Sequence, residues 1–118
     1  MDRLTYIGVA IGIFLALYLL MRMARGPLIS GEEAKKLVAE GATLIDVRSP
    51  GEFASGHVEG AKNIPVQEIG ERAKEIPKDR PVVLYCASGM RSGSAASVLR
   101  AAGRKDVHNL GSIANWPR

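Results

Sequence analysis

The sequence predicts an α/β protein: a three-layer α/β/α domain with a small parallel sheet, preceded by one N-terminal transmembrane helix. The first observation is an uncharged apolar run near the start of the 118-residue chain. The second is an alternation of short apolar segments with helical patterns, which is typical of parallel sheets covered by helices on both faces. A chain of this length has room for one soluble core. We therefore expect an anchor with its flanks over residues 1–25 and a single domain over residues 26–118.

The apolar run, from Leu4 to Met21, predicts a membrane anchor. It holds 18 residues without a charge, and a helix of that length spans roughly 27 Å, close to the hydrocarbon core of a bilayer. A cleaved signal peptide is the alternative, but its apolar region is usually about 7–15 residues long and precedes a small-residue cleavage site. Here Arg22-Met23-Ala24-Arg25 follows the run. We expect residues 4–21 to remain in the lipid bilayer.

The charges that flank this run predict its orientation. Arg3 alone precedes it, whereas Arg22, Arg25, Lys35 and Lys36 follow it. Because cytoplasmic flanks carry the excess of Lys and Arg, the sequence predicts a single-pass protein of the cell inner membrane with its C-terminal domain in the cytoplasm. A free thiol suits that compartment.

Gly8 and Gly12 form a small-residue pair on one face of the predicted transmembrane helix. Such a pair lets two membrane helices approach closely, so a homodimer through these glycines is one interpretation. The other is that glycine is simply frequent in membrane helices.

Composition argues against several classes of function. The net charge is +4 without a basic run, and only 5% of the residues are aromatic, so no nucleic-acid partner is predicted. A single cysteine rules out an internal disulfide and a multi-cysteine metal cluster. We expect neither a metal nor an organic cofactor.

The elements of the domain follow from periodicity and caps. Ser30 with Glu33, and Ser49 with Glu52, have the spacing of capping boxes at two helix starts. The predicted strands are short and apolar: residues 43–47, 63–66, 82–85 and 107–110. The predicted helices run from the Ser30 cap to Gly41, from the Ser49 cap to near Gly56, and over residues 67–76 and 92–102.

Cys86 stands where a strand covered on both faces meets a helix N-terminus. Backbone N–H groups and the helix dipole favour an anion there, and therefore a thiolate, which is the reactive form of cysteine. The alternative is a small buried apolar residue. Each residue of the loop has a candidate role. Backbone N–H groups from Ala87 to Arg91 can donate to an anionic intermediate, and Gly89 permits a tight curl. Arg91 has a fork suited to an oxyanion, Ser88 and Ser92 have hydroxyls for the sulfur, and Met90 is an adaptable apolar contact at the mouth of the pocket. Ser92 could equally cap the helix.

Two further residues are candidates for a supporting role. Asp46 ends a strand on the ligand-binding edge of the sheet, where it could hold Arg48 or a loop amide, or simply make a structural hydrogen bond. Arg48 and Glu52 lie four residues apart, so a surface ion pair between them is one interpretation. For His57 we favour packing or a backbone hydrogen bond over a catalytic role, and His108 is assigned no role.

Three motifs together resemble rhodanese-homology domains over about residues 28–117. The first is Asp46-Val47-Arg48-Ser49-Pro50-Gly51-Glu52-Phe53 with the stretch from Gly56 to Pro65, the second is the loop Cys86-Ala87-Ser88-Gly89-Met90-Arg91-Ser92, and the third is Gly111-Ser112-Ile113-Ala114-Asn115-Trp116. The resemblance implies a sulfurtransferase. Cys86 would take sulfane sulfur from a small anionic donor such as thiosulfate, hold it as a persulfide, and pass it to a thiophilic acceptor, cyanide in vitro and a thiol in the cell.

Other functions remain as alternatives. Phosphatases of this fold place five residues between the cysteine and the arginine, whereas only four stand between Cys86 and Arg91, so a phosphate-sized ring is not predicted. A non-catalytic membrane-tethered binding module would not need the cysteine. A thiol sensor needs an accessible thiolate, but a resolving cysteine is missing from the chain.

Overall fold

The computed structural model describes residues 2–118. Its helices are α1 (Arg3–Arg25), α2 (Gly31–Ala39), α3 (Pro50–Ala54) and α4 (Met90–Ala101). Its strands are β1 (Thr43–Asp46), β2 (Lys62–Asn63), β3 (Val82–Cys86) and β4 (Val107–Ser112). Short 3-10 turns cover Val66–Glu68, Ala73–Glu75 and Ile113–Asn115.

The four strands form one parallel sheet in the order β2-β1-β3-β4. Asp46 at the end of β1 pairs with Tyr85, and Cys86 at the end of β3 pairs with Ser112. The C-terminal ends of parallel strands are where ligands bind in such sheets. The register therefore sets Cys86 in the centre of that edge.

Two apolar clusters cover the two faces of the sheet, as the prediction of three layers requires. One lies under α4, whose Ala95, Ala96 and Leu99 pack against the sheet. The other lies under α2 and contains Ala34 and Tyr85. Because every residue of β3 is buried, the strand before Cys86 is fixed from both sides.

The predicted helix over residues 67–76 is wrong. The segment consists of two separate 3-10 turns joined through Gly70. Ile69 and Ile76 are both buried at 1% exposure, so their helix-like spacing reflects two independent contacts with the core. Gly70, the fourth of the ten residues, disfavours a continuous helix, and Pro77 follows the segment directly.

Other boundaries differ in detail. β2 is shorter than predicted, although Ile64 N donates to the Asp46 carbonyl and Val66 N to the Val47 carbonyl, each at 3.0 Å. Pro65 between them has no N–H to donate. At α2 the Ser30 hydroxyl accepts from Glu33 N at 3.1 Å, which is half of the predicted capping box. At α3 both halves of the box are present.

The helix α1 is long and apolar enough to cross a membrane. Its segment Arg3–Met23 has a mean hydropathy of 2.3 and none of it is buried in the domain. A core helix of a soluble protein would be largely buried, and α1 is not. It contacts α4, and Tyr18, Met21 and Arg22 near its C-terminal end line a cavity together with Ser88 and Met90. A side chain at Gly8 or Gly12 would meet nothing within 4 Å, so the small-residue face is open, and the homodimer and the membrane orientation stay predictions.

Candidate active site

Cys86 lies at the junction of β3 and α4, with its side chain fully buried at 0% exposure. Three residues, Ala87, Ser88 and Gly89, connect the strand to the helix. Gly89 is the N-cap of α4 and has a φ of 100°, a left-handed conformation that glycine adopts without strain. This conformation lets the chain curl back over the sulfur.

Three hydrogen-bond contacts converge on the Cys86 sulfur. Gly89 N lies 2.9 Å from Sγ, Ser92 N lies 3.4 Å away, and Ser92 Oγ also lies 3.4 Å away. Burial would raise the pKa of the Cys86 thiol, but the Ser92 hydroxyl and the amides of Ser92, Gly89 and Ser88 outweigh it and lower the pKa. The N-terminus of α4 points at the same sulfur and favours negative charge there.

The Ser92 hydroxyl has two acceptors within reach. Its proton can go to the Gly89 carbonyl, 3.2 Å away, or to Sγ. A thiolate is the stronger acceptor, because hydrogen bonds to ionised groups are the strong ones. Ser92 is the third residue of α4, and Gly89 holds the cap position. The alternative that Ser92 caps the helix is therefore wrong.

Arg91 is held by a carboxylate from another element. Its Nη1 lies 2.8 Å from Glu52 Oε1 and its Nη2 lies 3.1 Å from Glu52 Oε2. This bidentate pair lowers the pKa of Glu52 to about 2 and raises the pKa of Arg91. The interpretation that Glu52 pairs with Arg48 is wrong, and the charge of Arg91 near the thiol is already compensated.

Asp46 and Arg48 form a buried ion pair at the same edge of the sheet. Arg48 Nη2 lies 2.7 Å from Asp46 Oδ2, and Arg48 Nε and its backbone N both donate to Asp46 Oδ1. The same Nη2 donates to the Gly56 carbonyl at 2.7 Å. The structure shows that Asp46 holds Arg48, which is one of the roles considered for it above. The pair ties the end of β1 to the turn after α3.

Asn109 supports the loop from β4, and sequence reasoning missed it. This side chain is 1% exposed, its Nδ2 lies 3.4 Å from the Gly89 carbonyl, and its Oδ1 accepts from Gly111 N at 2.8 Å. The available signal was an amide side chain inside the predicted strand over residues 107–110, because buried polar groups need partners.

The remaining loop residues face outward. Ala87 and Ser88 are exposed and Met90 is half-buried. Ser88 and Met90 line a cavity of about 150 Å³ together with Tyr18, Met21 and Arg22 of α1. The Ser88 amide reaches the sulfur, while its side chain lines this cavity.

The two histidines have structural contacts of their own. The His57 ring stacks on Phe53 at 3.7 Å, and its Nδ1 lies 2.9 Å from the Phe53 carbonyl. His108 pairs with Asp106. The position of His57 is therefore explained by packing and a backbone hydrogen bond, as expected from the sequence.

Strand, tight loop and helix N-terminus thus present a thiol with a lowered pKa at the ligand-binding edge of a small parallel sheet. That combination is typical of α/β domains in which a reactive cysteine takes part in group transfer. The family model of the rhodanese-like domain matches residues 30–118, and the chain belongs to this family.

The relatives agree with the assignment. The chain is similar to the uncharacterized protein YqhL of Bacillus subtilis, with 49% identity over 76 residues, 64% of this chain and 60% of that protein. It is similar to a sulfurtransferase of Allochromatium vinosum, with 45% identity over 80 residues, 67% of this chain and 75% of that protein. Among solved structures it is similar to the human single-domain sulfurtransferase TSTD1, with a TM-score of 0.68 and 31% identity, covering 77% of this chain and 95% of that one. These similarities confirm the predicted enzyme class, a rhodanese-type sulfurtransferase.

Proposed function

We propose that this protein carries sulfane sulfur as a Cys86 persulfide, from an anionic donor of the thiosulfate type to a thiophilic acceptor. The observation that carries the proposal is the convergence of Gly89 N, Ser92 N and Ser92 Oγ on one buried sulfur at a helix N-terminus. These donors favour a thiolate before the reaction. They also favour the anionic persulfide after it, because the added sulfur keeps the negative charge in the same loop.

In the first half-reaction the Cys86 thiolate attacks the outer sulfur of the donor. With thiosulfate, a bond forms between Sγ and the outer sulfur, and the bond between the two thiosulfate sulfurs breaks with its electron pair on the departing sulfite. The total charge is unchanged, and the persulfide retains one negative charge. No proton has to move when the thiol is already ionised, so no general base is required.

In the second half-reaction the acceptor attacks the outer sulfur of the persulfide. Cyanide gives thiocyanate, a thiolate gives a new persulfide, and in both cases the electron pair of the breaking S–S bond returns to Sγ. The Ser92 hydroxyl and the amides that contact Sγ stabilise this leaving thiolate, which makes Cys86 a good leaving group as well as a nucleophile.

The membrane anchor forms a second part of the proposal. The apolar α1, with residues 4–21 in the bilayer, would tether the domain to the inner membrane, and the excess of cationic residues after it favours a cytoplasmic domain. Fusion of a reporter that is active only outside the cytoplasm to the C-terminus tests this. A silent fusion is expected, and an active one would show the opposite orientation.

Steady-state kinetics test the chemistry. Because two half-reactions share one covalent intermediate, thiocyanate formation should give parallel lines in double-reciprocal plots of rate against thiosulfate at several cyanide concentrations. Cys86→Ser should abolish turnover, whereas Ser94→Ala, on an exposed position of α4, should leave it unchanged. A correctly folded wild-type chain that makes no thiocyanate would favour the binding module or the thiol sensor instead.

A further inference from the structure

We propose that α1 is part of the active site as well as an anchor: its last turns and the Cys86 loop form a subsite for a sulfur-donor anion that carries a short apolar group. We call this subsite the junction cavity; it has a volume of about 150 Å³ and is lined by Tyr18, Met21, Arg22, Ser88 and Met90. The proposal rests on the proposed sulfur transfer and adds the part of the protein that selects the donor.

The position of the junction cavity follows from the loop. Ser88 and Met90 stand on either side of Gly89, whose amide lies 2.9 Å from the Cys86 sulfur. The same two residues contribute to the wall of the cavity, and α1 closes it from the other side through its contact with α4. A molecule in the cavity therefore lies against the loop that holds the thiol.

The charges near the loop single out Arg22. Arg91 is compensated by the bidentate contact with Glu52, and Arg48 is compensated by Asp46. Within residues 2–118 no carboxylate is in ion-pair contact with Arg22. Since the donor is an anion, the charge that attracts it into the junction cavity comes from α1.

The other walls suit an apolar group. Tyr18, Met21 and Met90 supply two flexible thioethers and one ring, and methionine adapts to varied apolar shapes. A cavity of roughly 150 Å³ can hold a group the size of benzene. Met21 also ends the uncharged run of α1, so the cavity lies at the expected level of the membrane interface, where molecules with an apolar tail and an anionic head collect.

Alkanethiosulfonates are suitable probes, because they combine an anionic head with a tail of chosen length. The thiolate attacks the outer sulfur, a bond to Sγ forms, and the bond between the outer sulfur and the sulfonyl sulfur breaks with its electron pair on the departing sulfinate. Charge is conserved, as it is with thiosulfate. The sodium salts of methane- and butanethiosulfonate differ by three methylenes only.

The first experiment tests the charge, with the full chain in a non-ionic detergent. Arg22→Gln should raise the KM for thiosulfate and for both thiosulfonates about fivefold with little change in kcat, the size expected of one nearby surface charge. Lys35→Gln removes an equal charge from α2 on the opposite face of the sheet and should change nothing. Equal KM values in the two variants would overturn the role of Arg22.

The second experiment tests the apolar wall. In the wild type, butanethiosulfonate should have a several-fold lower KM than methanethiosulfonate, because each buried methylene favours binding by up to about fourfold. Met21→Ser should remove this preference, and Leu20→Ser, a neighbour in α1 outside the cavity lining, should keep it. Equal KM values for the two donors in the wild type would show that no apolar group is bound.

A third readout separates failure of the subsite from failure of sulfur transfer. Cys86 is the only cysteine, so its alkylation by anionic iodoacetate and neutral iodoacetamide can be measured without any turnover. The ratio of the two rates should fall about fivefold in Arg22→Gln and stay constant in Lys35→Gln. If the ratio falls in Arg22→Gln but the wild type forms no thiocyanate, the role of the junction cavity is supported and sulfur transfer is rejected. If the ratio is unchanged in Arg22→Gln and the wild type turns over normally, sulfur transfer is supported and the role of the cavity is rejected.

Discussion

Glu52 and Arg91, which lie 39 residues apart in the chain, join α3 to α4 through a bidentate ion pair. Both guanidinium nitrogens of Arg91 contact the Glu52 carboxylate, at 2.8 and 3.1 Å. Glu52 Oε1 also accepts from Ser49 N and Ser49 Oγ in the capping box of α3. The first turn of α3 therefore fixes the first turn of α4, and with it the loop that surrounds the Cys86 sulfur.

The first prediction concerns this pair. Glu52→Gln leaves the Arg91 charge uncompensated beside the thiol, with which Arg91 interacts electrostatically, so the pKa of Cys86 should fall further. The pH at which the iodoacetamide rate is half-maximal should therefore be lower than in the wild type. Glu75→Gln breaks a similar pair, with Arg72, away from the site and serves as control. A midpoint that rises or stays constant in Glu52→Gln would contradict the electrostatic role.

The second prediction concerns Ser92. Replacing it with alanine removes the hydroxyl that contacts Sγ, so the pKa of Cys86 should rise, because a hydrogen bond that stabilises the thiolate is lost. Alkylation and sulfur transfer at pH 7 should slow in proportion to the lost thiolate. Ser94→Ala should behave as the wild type. If the pH of half-maximal alkylation is unchanged in Ser92→Ala, the backbone amides alone stabilise the thiolate and the prediction fails.

The third prediction concerns acid stability. Glu52 and Glu75 each have a pKa of about 2 in the folded protein, against 4.5 for an ordinary glutamate, because arginines hold the ionised forms. A depressed folded pKa means that the stabilisation is present above about pH 4.5 and is lost as the pH falls toward 2. The Tm should fall across this window, and less steeply in Glu52→Gln and Glu75→Gln. Identical slopes in wild type and variants would contradict it.

The fourth prediction concerns Asp46 and Arg48. Arg48→Ala leaves the buried Asp46 carboxylate without its main partner and should destabilise the domain by about 3 kcal/mol. Asp46→Asn combined with Arg48→Met removes both charges and should recover part of that loss. The reason is that a buried ion pair often contributes no more to stability than uncharged residues of similar size in its place. Urea unfolding measures both. A double variant less stable than Arg48→Ala would contradict the assignment of the cost to an unpaired charge.

Local sequence patterns predicted most of the fold. The order of strands and helices, the uncharged helix α1, and the cap formed by Ser49 and Glu52 all depend on residues close together in the chain. The segment over residues 67–76 could not be predicted correctly, since the spacing of Ile69 and Ile76 suits a helix and two 3-10 turns equally well. Tertiary contacts, which the spacing does not record, decided between them.

Only the part of the site that is contiguous in the chain could be predicted from the sequence. The strand, loop and helix around Cys86 are contiguous, so their chemistry could be inferred from the sequence. The partners of the loop come from elsewhere: Glu52 of α3 contacts Arg91, and Asn109 of β4 contacts the Gly89 carbonyl. The expectation that Arg91 would face an anion ignored Glu52, because no local pattern connects two residues so far apart in the chain.

The most direct test of the central claim is the mass of the intact protein after treatment with thiosulfate whose outer sulfur carries a heavy isotope. We expect Cys86 to gain one sulfur atom that bears the label, and we expect cyanide to remove it as labelled thiocyanate. Cys86→Ser should gain nothing. A wild-type protein that remains unmodified, or that gains unlabelled sulfur, would contradict transfer of the outer sulfur to Cys86.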